Sequence, residues 1–146
     1  MGCARCLAIC PKDAIASRDD EAPTILNKKI AEYTKAVVDG RPCFHVSLVM
    51  DISPNCDCHG ENDAPIVPDV GMFASFDPVA LDVACADAVN RQPVLPGSEL
   101  ADNRAHGHTE GDHFHITHPE TNWRSCVEHA EKLGLGSQTY ELITIQ

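Results

Sequence analysis

Three cysteines inside the first ten residues constrain this chain more than any other feature. In MGCARCLAICP, Cys3, Cys6 and Cys10 follow the spacing C-x2-C-x3-C, and Pro11 comes directly after the last. The bacterial iron–sulfur run is C-x2-C-x2-C-x3-C-P, so the remaining cysteine of that pattern would stand one position before Met1. Thiolate suits iron, and closely spaced cysteines wrap a small cluster with little loop-closure entropy. A cubane takes four ligands, and this segment supplies three. The expectation is a piece of an iron–sulfur protein whose start is lost or misassigned. A 4Fe–4S cluster on Cys3, Cys6 and Cys10 is expected in the intact parent rather than in this chain. Where two clusters share such runs, the last cysteine serves the other cluster, so the partners of Cys10 would lie upstream.

With 146 residues, 43% of them hydrophobic, the chain has room for one ordinary domain and a sizeable core. Its apolar runs are too short to span a bilayer, and no leading basic and apolar segment predicts a secretory signal. Asp and Glu number 22 against 11 Lys and Arg, a formal charge of −11. That balance argues against nucleic acid, which needs clustered cations to neutralise phosphate, and against anionic membrane surfaces. The 8 cysteines, without a secretory signal, predict reduced thiols kept for metal and a cytoplasmic setting that is anaerobic or of low potential.

The pattern along the chain predicts an α/β fold: an incomplete mixed sheet with flanking helices, preceded by a partial cysteine motif of ferredoxin type. Residues 1–20 form that motif, and residues 21–146 form the α/β domain. Ile25, Ile30, Tyr33 and Val37 predict a helix ending before Gly40. CFHVSLVMDI, from Cys43 to Ile52, is apolar on both faces and predicts a buried strand of a parallel or mixed sheet. After a loop rich in Pro, Asn and Asp, a second strand runs from Val70 to Ser75. Asp77 as N-cap, with Pro78 in the first turn, predicts a helix bearing Leu81, Ala84, Cys85, Ala88 and Val89 on one apolar face. Arg91 to Pro119 reads as a long polar stretch. A helix from about Asn122 to Leu133 and a closing strand, TYELITI, complete the chain.

Beyond the first ten residues, two clusters carry metal-ligand chemistry. Cys56, Cys58 and His59 sit on the loop after the first strand, with His45 and Asp51 before it. Two thiols and an imidazole suit a soft metal such as zinc, although structural zinc more often uses C-x2-C. Metal or cluster contact, pocket lining and plain packing all stay open for this loop. The second cluster is HGHTEGDHFHITH, holding His106, His108, His113, His115 and His118. On a strand, H-x-H turns His113 and His115 to one face, where Glu110 or Asp112 could complete a metal facet. A solvated loop with merely polar histidines is the alternative. Asp69, Asp77 and Asp82 lie near a strand-to-helix junction, where α/β folds bind ligands, and a simple N-cap is the other reading of Asp77. Cys43, Cys85 and Cys126 read as core packing. Hydrolase and nucleotide-binding motifs are absent.

The stretches GCARCLAICPKDAI, SPNCDCHGENDAPIVPDVGMFASFDPVALD and NWRSCVEHAEKLGLGSQTYELITI resemble the C-terminal part of an uncharacterised prokaryotic family of iron–sulfur centre proteins, a domain of unknown function often joined to ferredoxin motifs. The resemblance implies a longer parent with an α/β segment ahead of the cysteine region and two cluster motifs. It names no reaction. Three functions compete on this reading. One is an electron-transfer or redox protein with an unidentified protein partner, and another is a zinc-binding domain using Cys56, Cys58 and histidines. The third is an interaction module, a homodimer covering its open sheet edges.

Overall fold

The computed structural model describes residues 22–56 and 64–145. Among them are five helices and two strands, so the chain is of mixed α/β class. The first helix, α1, spans Ala22–Val38. Strands β1 (His45–Val49) and β2 (Gly71–Ser75) pair antiparallel, with His45 opposite Ser75 and Val49 opposite Gly71. Helix α2 (Pro78–Asn90) follows β2 directly. Two short helices, α3 (Glu99–Ala105) and α4 (His113–Thr117), precede α5 (Arg124–Lys132).

Helix α2 organises the molecule, and local chemistry fixes where it begins. One carboxylate oxygen of Asp77 accepts hydrogen bonds from the Val79 and Ala80 amides, each at 2.9 Å. Pro78, which has no amide hydrogen to leave unsatisfied, takes the first turn. The other carboxylate oxygen of Asp77 accepts from the Ser137 amide at 2.9 Å, tying the chain beyond α5 to the start of α2. Gly136 permits that approach, because a Cβ there would lie 1.9 Å from Asp77 Oδ1. Burial on α2 is not confined to one stripe: Val79, Ala80, Leu81, Val83, Ala84, Ala86, Ala88 and Val89 are all buried. The helix therefore has covered sides in several directions, as a central element should.

Two apolar clusters result. Val49, Ile66, Val67, Val89, Leu100 and Ile116 join the strand pair to α2, α3 and α4, and Leu100 is fully enclosed. Ala31, Val79, Val83, Val127 and Ala130 join α1, α2 and α5. Polar bonds complete the seam between α1 and α5. The Asn27 amide donates to the Asn122 carbonyl at 2.7 Å and to Ser125 Oγ at 2.9 Å. Lys35 Nζ donates to the Leu133 carbonyl at 2.7 Å, beside the negative end of α5.

Three local expectations are corrected. Residues 91–119 do not form a continuous polar stretch, because α3 and α4 each bury an apolar anchor, Leu100 and Ile116. TYELITI makes no strand. Tyr140 instead donates its hydroxyl to Asp87 at 2.8 Å, while Leu142, Ile143 and Ile145 stay exposed. The first strand is covered on only one face, since His45, Ser47 and Val49 turn inward while Val46 and Leu48 face out.

Candidate functional site

The region with most chemistry is the loop that leaves the carboxyl end of β1. Its base is firmly tied. The Asp51 amide donates to Asp69 Oδ1 at 2.9 Å, the Val70 amide to the Val49 carbonyl at 2.8 Å, and the Ile66 amide to the Ile52 carbonyl at 2.8 Å. Asp51 has φ +48°, and no other non-glycine residue among those described has a positive φ. Asp adopts this conformation more readily than most residues, and the bond to Asp69 holds it there. Beyond this turn the chain reaches buried Pro54 and then exposed Cys56. Cys58 and His59 lie outside the described residues, as do Cys3, Cys6 and Cys10.

The structure brings one residue of the histidine-rich segment against the start of the loop that carries Cys56. His118 Nε2 lies 2.7 Å from the Pro54 carbonyl, two residues before Cys56. That bond spans 64 residues and pins the end of the histidine-rich segment against the cysteine-bearing loop. The other ring nitrogen of His118 lies 3.5 Å from Glu120. No local sequence signal marks this pairing, because both partners sit in irregular segments.

His45 does not join that group. It stands at the opposite end of β1, on the inner face, where it acts electrostatically on Asp82 of α2. Burial pushes the Asp82 carboxyl upward and His45 opposes the shift, although the residue as a whole keeps solvent access. Nearby, burial also pushes the Cys85 thiol up, against a hydrogen bond from Ser47, and it raises Cys126 likewise. Both thiols are thereby held protonated, in keeping with packing rather than nucleophilic chemistry. Asp69 and Asp77 spend their carboxylates on backbone amides.

His113 and His115 also part company. They lie on a helix rather than a strand, so positions two apart point about 200° from each other. His113 is buried, with Nε2 3.0 Å from the Gln92 carbonyl and Nδ1 3.4 Å from Arg104 Nη2. Its role is to fasten α4 to the end of α2. His115 is exposed and lines two neighbouring clefts. One, of about 250 Å³, includes His108, Glu110 and Pro119. The other, of about 540 Å³, includes Glu120, Trp123 and Arg124. Gly111 makes room for the imidazole, since a Cβ there would lie 2.8 Å from the His115 ring. Asp112 is fully engaged: Oδ1 caps α4 through the His115 amide and Oδ2 accepts from Trp123 Nε1 at 2.7 Å. Among the described residues no three His, Cys, Asp or Glu side chains are grouped to hold a metal ion. None of their helices is long and apolar enough to cross a membrane.

A family model described as a domain of unknown function, DUF362, matches residues 1–87, more than half of the chain. The matched span contains both cysteine groups and ends within α2. Neither a curated protein nor a solved structure matches the chain.

Proposed function

Since the chain belongs to the DUF362 family, which is defined by no reaction, we propose from its own residues that it is the cluster-proximal part of an iron–sulfur protein with an electron-transfer or redox role. The observation that carries this reading is the C-x2-C-x3-C-P run of Cys3, Cys6, Cys10 and Pro11. Its three thiolates are the right donor type for three corners of a 4Fe–4S cubane, with the fourth ligand supplied from outside the run. When bound, such a cluster supplies one-electron chemistry, and burial and hydrogen bonds to its sulfurs set the potential. Residues 1–20 act in this reading as the cluster arm and residues 21–146 as the domain that carries it. The tied loop at Cys56 and the adjoining His118 form the polar surface where the domain meets reduced or oxidised partners in the cytoplasm. The acidic chain favours a protein partner over nucleic acid or membrane.

Anaerobic reconstitution with iron and sulfide tests the proposal. A charge-transfer band near ~400 nm that disappears in Cys6→Ser, with unchanged far-ultraviolet circular dichroism, is the expected result. A colourless protein that takes up zinc, and loses it in the Cys56→Ser, Cys58→Ser double variant, would favour the zinc-binding alternative. The chemistry behind that second reading is the pair of thiols two residues apart beside His59.

A further inference from the structure

The outer face of the strand pair is more apolar than the inner one. Successive cross-strand pairs on that face are Val46 with Ala74 and Leu48 with Met72. Phe44 and Phe76 extend the row at one end, their rings 4.9 Å apart, and Met50 extends it at the other. Exposure of the six large side chains runs from 45% at Met50 to 79% at Phe76, and none of the seven residues carries a charge. An antiparallel sheet with one solvated face ordinarily turns polar residues to water. Here His45, Ser47 and Ser75 face the covered side while the aromatic and aliphatic residues face out.

We propose that this face is an interface between two copies of the chain, packed sheet on sheet about a two-fold axis that runs across the strands. The six large side chains leave open roughly 800 Å² per chain, the area each partner contributes to a stable interface of standard size. The face is also self-complementary in chemistry. The two-fold sets the Phe44–Phe76 end of one copy over the Met50–Met72 end of its partner, and thioether sulfur packs well on aromatic edges. Electrostatics allows this placement, because two chains of charge −11 repel wherever their carboxylates meet, and this patch has none. The proposal is independent of cluster binding.

Sedimentation of the full chain in reductant, over a range of concentrations, provides the test. A reversible monomer–dimer equilibrium is expected. Leu48→Lys and Met72→Lys, each outward-facing, are expected to weaken it on the order of a hundredfold without altering the far-ultraviolet spectrum. Tyr33→Lys, on the separate exposed apolar row of α1, is expected to leave it unchanged. A chain that stays monomeric at all concentrations overturns the proposal. So does a dimer insensitive to both sheet substitutions, or one that Tyr33→Lys dissociates.

Discussion

The two faces of the β1–β2 pair are built to opposite specifications. The inner face carries His45, Ser47, Phe73 and Ser75, yet it is the one that packs on α2. The outer face carries Phe44, Val46, Leu48, Met72 and Phe76 and is open. Polar groups on the covered side meet polar groups of the helix: Ser47 bonds the Cys85 thiol, and His45 stands near enough to Asp82 to oppose the upward push of burial on its carboxyl. His45, Ser47 and Ser75 are only half-buried, and polar atoms with partners cost little, so the inner face holds despite its composition. Open apolar side chains gain nothing from their burial potential until something covers them. The contrast teaches that residue type alone does not say which side of a sheet is the core side.

The largest expected effect comes from testing whether leucine is worth the same on both sides of this divide. Leu100 has no exposed surface and sits in the cluster beneath the strands. Leu100→Ala should cost about 3 kcal/mol in chemical denaturation, within the ordinary span for a buried leucine. Leu48 is 66% exposed, and Leu48→Ala should cost less than about 0.5 kcal/mol at concentrations where the chain is monomeric. Equal costs would show that the outer face is covered within one chain, and the contrast drawn above would fail.

A smaller effect is expected at Asp77, which stands where β2 hands over to α2. Its carboxylate holds the first amides of α2 and the Ser137 amide from beyond α5. Asp77→Ala should destabilise by about 2 kcal/mol, because it removes an N-cap and leaves a further half-buried donor unmatched. Asp77→Asn, which keeps one acceptor oxygen, should recover part of the loss. If Asp77→Ala is no worse than an ordinary surface change, the tie from residue 137 to α2 has no energetic weight.

How much of this was legible in the sequence depends on the range of the interaction. The start of α2 could be read because cap, proline and first turn lie within four residues. Helix α1 declared itself by apolar spacing, and α5 and the two strands were placed to within a few residues. Helices α3 and α4 were not, because each has a single strong apolar anchor, Leu100 or Ile116, in a polar setting that shows no period. TYELITI has the composition of a strand, but a strand needs a neighbour, and among the described residues it has none. At the candidate site the loop holding Cys56 could be named from its residues, whereas its contact with His118 across 64 residues could not. The pairing of His113 with His115 failed for a related reason: the assumed strand period put together two side chains that a helix separates.

The smallest effect sharpens the account of the inner face. Burial raises the carboxyl of Asp82 above its ordinary value of 3.8, so the folded chain binds the proton more tightly than the unfolded one. The contribution of this group to stability is therefore greatest below the unfolded value and is lost as pH rises through the folded one. At neutral pH Asp82→Asn should then stabilise the chain, by less than about 1 kcal/mol because the residue keeps solvent access. The gain should shrink as pH falls through the acid interval, above the ordinary carboxylate range, in which the wild-type carboxyl takes up its proton. Thermal midpoints of both chains across that interval measure it. A variant less stable than wild type at neutral pH would mean that attraction to His45 outweighs desolvation. The inner face would then be held by an ion pair rather than merely tolerating its polar groups.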